Sequence, residues 1–460
     1  MKNIVRLKSI NIKNIKNVES GKIEIIKTIN DDGSIIEGNI LGIYGQNGSG
    51  KTALVEALKI LKIVISGESL ERNTFDLISS GSRSATFEFE FYIFIKNILN
   101  VVKYRFVLEK FEFENNHIVR VMNEELYYDT LPKTKGSKLK TLIKFKGIGE
   151  ISPVCLKNFL RQDEESRIEL RLLENNTHIE RRSIIFSKKL RKKLLENKNF
   201  NKIFDIIEIL SNYGGRNLTV VDNRELSIID ANILIPLAFK CKEGNKINSG
   251  KIVLYLNKPH ELLEEEFELV ESIIIQMNIV LTKIIPNLNV SIKKFGNEFN
   301  IDGKTMIRFQ LFSKLGEKEI PLKYESEGIK KIISILSALT VVYNDPTYCL
   351  VVDELDAGIF EYLLGEILEI ISKFGKGQLI FTSHNLRPLE VLNKENIILT
   401  TTDRSNNYTK LTNIKCTNNM RSVYMRNVML GVDKGEALYK ETDSYEIRKA
   451  FRRAGRDIIG

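Results

Sequence analysis

Apolar and polar residues alternate over much of the first part of the chain, as in β-strands with one buried face. Residues 4–28 contain two such runs, VRLKSINIK and GKIEIIKTI. From Ala85 to Tyr128 the runs are aromatic (TFEFEFYIFI, VVKYRFVLEKFEF and IVRVMNEELYY), which predicts an antiparallel meander. Between these regions, the apolar run NILGIY predicts a buried strand and TALVEALKILKIVI predicts a helix.

The period of the pattern changes in the remaining two thirds. Residues 155–215 have helical spacing and many charges, and residues 260–285 predict a long amphipathic helix that Pro286 ends. Short strands follow in VSIKKF, GNEFNID, MIRFQLF and EIPLKY. The last third alternates helix and strand in GIKKIISILSALTVVY, YCLVVDELD, FEYLLGEILEIISKF and QLIFTSH, so it predicts an α/β fold with a mostly parallel sheet.

The composition is that of an ordinary water-soluble protein. Of 460 residues, 43% are hydrophobic and 28% are charged, and no run approaches the roughly 18 apolar residues of a membrane span. The N-terminal segment lacks the apolar core of a signal peptide, which favours a cytoplasmic protein. Four widely spaced cysteines favour reduced, buried thiols over a zinc site: Cys155, Cys241, Cys349 and Cys416.

The octapeptide GQNGSGKT lies between the predicted buried strand and the predicted helix, and it fits the pattern G-x-x-x-x-G-K-[ST]. Glycines let successive backbone N–H groups point at phosphates, and the helix start adds partial positive charge. Lys51 would reach the β and γ phosphates, and Thr52 would ligate Mg²⁺. The predicted nucleotide-binding residues here are Gly45, Asn47, Gly48, Ser49, Gly50, Lys51 and Thr52.

A second element, CLVVDELDAG, is an apolar strand that ends in two adjacent carboxylates. Beside the phosphate loop, Asp353 would hold the metal ion and Glu354 would orient or deprotonate the attacking water. Acidic residues that merely end a strand are the alternative. Neither NKEN nor NKPH completes the N-K-x-D base reader of GTPases, so ATP is the expected nucleotide.

Two further elements are candidates for the nucleotide site because of where they lie along the chain. In QLIFTSHNL, His384 comes one strand after the carboxylate pair, which makes it a candidate for contact with the γ phosphate or the attacking water. In KYESEGIKKIISIL, Ser326 and Gly328 precede a helix, where backbone donors suit an anion. A simple N-cap by Ser326 explains the same residues from local chemistry alone.

In this order the four elements resemble the ATP-binding-cassette (ABC) class of P-loop ATPases, in particular the SMC and OLD-type branch. The resemblance implies an ABC head with a mixed parallel sheet and an antiparallel β-subdomain, and two heads that enclose two ATP molecules. It implies a signature at Ser326 and Gly328 that acts on the other head, Asp356 in the D-loop and His384 as the switch histidine. The glutamine loop of this class is not assigned, because Gln162, the nearest candidate, lies in a predicted helical stretch well beyond the first strands.

Lys51 and Asp353 lie 302 positions apart, which indicates an insertion between two lobes. The expected organisation is a first lobe at 1–125, a mostly helical insertion forming a short arm or lid at 126–286, a second lobe at 287–400 and a docking extension at 401–460. Full OLD proteins carry a Toprim nuclease after the head, for which the residues after His384 are too few. The resemblance therefore implies a stand-alone ATPase like those of the abortive-infection L and PARIS anti-phage systems, where a separate Toprim-like protein supplies the nuclease.

The charged segments of the chain allow more than one interpretation. The net charge of +10 permits contact with nucleic acid, and residues 181–198 (RRSIIFSKKLRKKLLENK) predict either a nucleic-acid contact or a solvated helix face. The tail cations could dock an acidic partner protein: Arg448, Lys449, Arg452, Arg453 and Arg456. The implied cofactors are ATP and Mg²⁺, and the implied assembly is a homodimer, with higher oligomers left open. Rival functions are an SMC-type DNA repair or maintenance clamp and a nucleotide-dependent regulator or kinase outside the ABC class.

Overall fold

A computed structural model describes the chain in eleven ranges. They are 3–25, 40–96, 98–113, 116–131, 139–147, 150–243, 246–299, 302–401, 406–410, 420–430 and 443–459.

The strands are numbered in chain order. They are β1 Ile4–Ile15, β2 Val18–Glu24, β3 Ile40–Tyr44, β4 Ser84–Ile95, β5 Ile98–Phe113, β6 Asn116–Thr130, β7 Lys140–Phe145, β8 Ile151–Ser152, β9 Leu218–Val221, β10 Leu234–Glu243, β11 Lys246–Tyr255, β12 His260–Leu263, β13 Leu288–Phe299, β14 Thr305–Leu315, β15 Lys318–Pro321, β16 Cys349–Val352, β17 Gln378–Thr382, β18 Ile397–Thr400 and β19 Tyr408–Lys410.

The helices are numbered in the same way. They are α1 Lys51–Ser66, α2 Thr74–Leu77, α3 Val154–Phe159, α4 Glu164–Ile179, α5 Lys188–Leu195, α6 Asn201–Asn212, α7 Asn223–Asp230, α8 Glu264–Ile284, α9 Glu327–Asn344, α10 Glu361–Phe374, α11 Pro388–Val391, α12 Met420–Leu430 and α13 Ser444–Ile459. None of these helices is both long and apolar enough to cross a membrane.

The described residues include a mostly parallel sheet with the strand order β19-β18-β3-β17-β16-β9. Strands β3, β9, β16, β17 and β18 run parallel, and β19 is antiparallel to β18. Their apolar runs are buried on both faces, as parallel strands usually are. Because β3, β16 and β17 share one direction, the segments that follow them meet at one edge of the sheet.

A second, antiparallel sheet has the order β2-β1-β4-β5-β6-β7-β8. Alternation along β4 buries Phe87, Phe89 and Phe91 completely on one face, and the Phe87 ring stacks on that of Phe106 at 5.0 Å. The core between this sheet and the parallel sheet also contains α1. This arrangement confirms the predicted α/β fold with an antiparallel β-subdomain.

Helix α9 separates two further cores. One lies on the other face of the parallel sheet and includes residues of α9 and α10. The second joins α8 and α9 to strands β10–β14 and includes Phe267 and Phe309, whose ring centroids lie 5.0 Å apart. Through α9, the parallel sheet is therefore packed against the smaller antiparallel strands.

The segment 126–286 differs from the predicted mostly helical arm or lid. Helices α3–α6 share the core of the antiparallel sheet, so their buried faces lie on the body of the protein. Strand β9, with the sequence LTVV, pairs with β16 in the parallel sheet. The sequence did not predict this strand, because four residues are too few to show a strand pattern next to a long helical stretch. The division into lobes stays a prediction, but part of the parallel sheet comes from inside the expected insertion.

Other local expectations are corrected by strand pairing. Residues 260–263, predicted as helix, pair with β14, so the helix begins at Glu264. VSIKKF and the start of GNEFNID, predicted as two strands, lie in the single strand β13, whose register shifts between Lys294 and Gly296 while Gly296 still pairs with Arg308. Residues 300 and 301 of the second run lie outside the described residues. Cys349 is buried as expected, whereas Cys155 is exposed. Cys416 and the end of the run GKIEIIKTI lie outside the described residues.

Candidate nucleotide-binding site

The phosphate loop connects β3 to α1 in the predicted strand–loop–helix arrangement. Gly50 precedes the helix with φ +111°, and a Cβ atom there would lie 2.7 Å from Cγ2 of Val18. At Gly45 a Cβ atom would lie 1.8 Å from Oγ1 of Thr400. These glycines are required by close neighbours, while Asn47 and Gly48 are exposed at the loop tip.

Lys51 lies at the first position of α1, with only 7% of its surface exposed. Its Nζ donates to the carbonyl oxygens of Gly45 at 2.8 Å and Gln46 at 3.0 Å. Burial lowers the pKa of Lys51, and the nearby carboxylates, Asp353 first, oppose that shift. The ammonium group is thus bound by carbonyl oxygens of its own loop, and phosphate oxygens could replace them as acceptors.

The loop is also tied to strand β18. Oγ of Ser49 lies 2.5 Å from the carbonyl oxygen of Gln46 and forms a hydrogen bond with Thr400. Thr400 Oγ1 in turn lies 3.1 Å from the carbonyl oxygen of Tyr44. Thr52, the predicted metal ligand of the loop, is half-buried in the first turn of α1.

Asp353 follows β16 and is only 1% exposed. Its Oδ1 accepts a hydrogen bond of 2.6 Å from Thr382 Oγ1, while its Oδ2 is buried without a hydrogen-bond partner among the described residues. Burial raises the pKa of Asp353, and the bond from Thr382 opposes that shift. A buried carboxylate oxygen of this kind, electrostatically coupled to Lys51, suits a hard cation such as Mg²⁺.

Glu354 has an unusual backbone conformation for a glutamate, with φ +48°. Asn223 Nδ2 donates to Glu354 Oε1 at 3.3 Å, and Lys331 Nζ donates to the Glu354 carbonyl oxygen at 2.5 Å. Burial lowers the pKa of Lys331 to about 8 against the raising effect of nearby carboxylates. A cleft of about 280 Å³ opens here, lined in part by Asn223, Lys331, Glu354 and Gly358.

His384 follows β17, and its side chain is exposed. The loop that carries it is held by Asp356, whose Oδ2 accepts from the backbone N–H groups of His384 at 3.2 Å and Asn385 at 3.0 Å. Oδ1 of Asp356 is buried and has no hydrogen-bond partner within the described ranges. The side chain of Asp356, the predicted D-loop residue, therefore binds the backbone of the loop that carries His384, the predicted switch histidine.

Ser326 and Gly328 lie at the start of α9. Ser326 is exposed, and its Oγ accepts from the backbone N–H of Ile329 at 3.3 Å, so it caps the helix. Gly328 packs on the loop after the carboxylates, where an added Cβ atom would lie 2.1 Å from the carbonyl oxygen of Gly358. The glycine is required within the subunit itself, and Ser326 faces solvent.

Comparison with known proteins decides the family. The model described as "AAA domain, putative AbiEii toxin, Type IV TA system" matches residues 40–390, which is well over half of the chain and includes the phosphate loop, the carboxylates and His384. The chain belongs to this AAA family. Membership of an ATPase family implies ATP binding. It also argues against the alternative that the protein is a kinase outside the ABC class.

Several solved structures resemble this AAA protein at low identity. They are an SMC head bound to the C-winged helix domain of ScpA (14% identity, TM-score 0.43, 88% of this chain and 97% of that chain), the SMC head domain from Thermotoga maritima (14%, 0.37, 88% and 99%) and the recombination mediator protein RecF with ATP (13%, 0.38, 89% and 100%). No curated protein matches the chain.

Four polar residues at the site of this AAA protein were missed by sequence reasoning: Asn223, Lys331, Thr382 and Thr400. Asn223 follows β9 and approaches Glu354, whereas Gln162, considered for a glutamine loop, lies in a bend between α3 and α4. A signal existed for Thr382, which directly precedes the serine and histidine of FTSH. The others become visible only when distant segments are paired.

Proposed function

We propose that this protein is an ATPase in which two copies enclose Mg·ATP and thereby control a separate effector in anti-phage defence. The observation that carries the proposal is the meeting of Lys51, Asp353 and Glu354 at one edge of the parallel sheet. Lys51 is coupled electrostatically to both carboxylates. A lysine, a metal-binding carboxylate and a water-activating carboxylate are the groups that hydrolysis of a nucleoside triphosphate requires.

Each residue has a defined task in this proposal. Lys51 exchanges its two carbonyl acceptors for β- and γ-phosphate oxygens. Thr52 and Asp353 are the residues that would hold Mg²⁺, which supplies positive charge against the developing charge of the phosphates. Glu354 receives a proton from the attacking water, and the amide of Asn223 orients that carboxylate.

The second copy completes the pocket. His384 is exposed on the loop that Asp356 binds, and in this proposal it would contact the γ phosphate or the attacking water. Ser326 caps an 18-residue helix that includes Gly328, and the start of such a helix suits an anion. Because Ser326 is exposed, it is available to a nucleotide carried by another subunit, which supports an ATP-dependent homodimer.

The effector is proposed to be a separate Toprim-like nuclease. Support comes from the family description, which names a toxin of a toxin–antitoxin system and so a two-component arrangement. On α13, Arg448, Arg452 and Arg453 are exposed and suit an acidic partner surface.

A DNA clamp of the SMC type is the alternative, and the basic segment 181–198 gives it limited support. Arg181 Nε donates to the carbonyl oxygen of Leu70 and Arg182 Nε to Ser69 Oγ, both at 2.8 Å. Arg191 pairs with Glu208 at 2.8 Å. The apolar residues of the segment are buried: Ile184, Ile185, Leu190 and Leu194. These contacts favour the solvated helix face over a nucleic-acid contact.

Co-expression with the product of the neighbouring gene tests the proposal. We expect a stable complex with a Toprim-like protein, whose nuclease activity changes when ATP is hydrolysed. ATP turnover that double-stranded DNA stimulates and salt abolishes, without any partner complex, would instead support the DNA clamp.

A further inference from the structure

Glu354 is held at both of its peptide groups. Its N–H donates to Thr382 Oγ1 at 2.7 Å, and its carbonyl oxygen accepts from the ammonium group of Lys331 at 2.5 Å. The same oxygen accepts from the N–H of Ala357 at 3.0 Å. A glutamate with φ +48° lies in a region that L-residues rarely adopt, so contacts on both sides are needed to keep it there.

Lys331 lies on α9, outside the segment 353–358 after β16, which we call the carboxylate loop. It is only 5% exposed, one helical turn after Gly328. Gly328 itself packs on Gly358, four residues after Glu354. The start of α9 therefore contacts the carboxylate loop at two points, through a close backbone approach and through the Lys331 hydrogen bond.

We infer that Lys331 is a positioning residue, which fixes the backbone of Glu354 so that its carboxylate faces the attacking water. The inference rests on the proposed role of Glu354 as the base. Lys331 bonds the main chain of Glu354, so it sets where the side chain starts, while Asn223 acts on the carboxylate itself. Because Lys331 shares a helix with Ser326, a nucleotide docked at that serine by the other subunit acts on the same helix that holds Glu354.

The neighbouring Lys330 provides a matched control. It is 2% exposed on the same helix, and its Nζ donates to Asn232 Oδ1 at 2.5 Å. Lys330→Met and Lys331→Met therefore remove equally buried ammonium groups, of which only one bonds Glu354. Lys331→Arg keeps a cationic donor at the position.

The test is steady-state ATP hydrolysis with separate kcat and KM values, together with nucleotide binding and thermal unfolding. For Lys331→Met we expect kcat to fall about 10- to 100-fold, since a displaced catalytic group costs rate without weakening ground-state binding. KM and ATP affinity should change less than about twofold. Lys331→Arg should recover part of kcat, and Lys330→Met should keep the kcat of the unsubstituted protein.

Three outcomes have defined meanings. An unchanged kcat in Lys331→Met overturns the inference. A loss of activity that Lys330→Met shares, with a matching fall in thermal stability and ATP affinity, also overturns it, because any buried lysine would then have the same effect. If the unsubstituted protein fails to hydrolyse ATP, the proposed function itself is wrong. The unsubstituted protein is measured first, so this failure is distinguished from a failure of the inference about Lys331.

Discussion

Thr382 donates a hydrogen bond of 2.6 Å from Oγ1 to Oδ1 of Asp353, across two neighbouring parallel strands. This bond orients the carboxylate and leaves its second oxygen, buried and without a hydrogen-bond partner in the described part of the chain, for a cation. Removing a group that orients a metal ligand typically lowers metal affinity or activity about 10- to 100-fold.

Thr382→Val should therefore raise the Mg²⁺ concentration needed for half-maximal ATP hydrolysis by about 10- to 100-fold. Valine keeps the shape of threonine but removes the donor to Asp353. A magnesium titration of the hydrolysis rate checks this. Thr219→Val is the control, because Thr219 lies in the same sheet but bonds the hydroxyl of Tyr348. Equal magnesium dependence in both variants would show that Thr382 does not orient a metal ligand.

Lys51→Ala should abolish nucleotide binding, because the ammonium group of Lys51 is the cation that the phosphate loop itself supplies. Fluorescence titration with a labelled ATP analogue measures the effect. Lys62→Ala, further along the same helix, should bind the analogue normally. Retained affinity in Lys51→Ala would move the phosphate site elsewhere.

Gly328→Ala should destabilise the single subunit, quite apart from any effect on pairing. Its Cβ atom would lie 2.1 Å from the carbonyl oxygen of Gly358, so one of two backbone segments must shift. We expect a loss of about 1–3 kcal/mol in the free energy of unfolding. Urea titration without nucleotide measures it, and unfolding at the unsubstituted midpoint would contradict this packing.

Cys349 should resist alkylation while Cys155 reacts. Burial raises the pKa of the Cys349 thiol to about 12, and the thiolate is the reactive form. At pH 8 the folded protein should be modified at Cys155, which is exposed, and Cys349 should react only in denaturant. Peptide mapping by mass spectrometry distinguishes the two sites, and fast labelling of native Cys349 would show that β16 is accessible.

Contiguous motifs explain how much of the site was predictable. The phosphate loop and the pair Asp353 and Glu354 each lie in one segment, where local spacing reveals both residue type and neighbouring element. The parallel sheet followed from the alternation of helices and apolar strands.

Residues that depend on strand register could not be predicted in the same way. Asn223 reaches Glu354 because β9 pairs with β16, and Thr400 reaches Ser49 because β18 lies beside β3. Both pairings join segments more than 100 residues apart, and a four-residue strand such as β9 has too few positions to show a period. The sequence did not distinguish Lys331 from the neighbouring charged residues of its helix, because its hydrogen bond to Glu354 depends on tertiary packing.

In the proposed assembly two copies enclose ATP, and Ser326 of each copy completes the pocket of the other. Ser326→Asp is the sharpest probe, because aspartate also caps a helix but places a negative charge against the triphosphate. The measurement is the mass in solution, by light scattering with Mg·ATP, of Glu354→Gln alone and of Glu354→Gln combined with Ser326→Asp. We predict two chains for the first protein and one chain, still able to bind ATP, for the second. If Glu354→Gln stays a single chain with ATP bound, or if the double variant pairs equally well, the claim is contradicted.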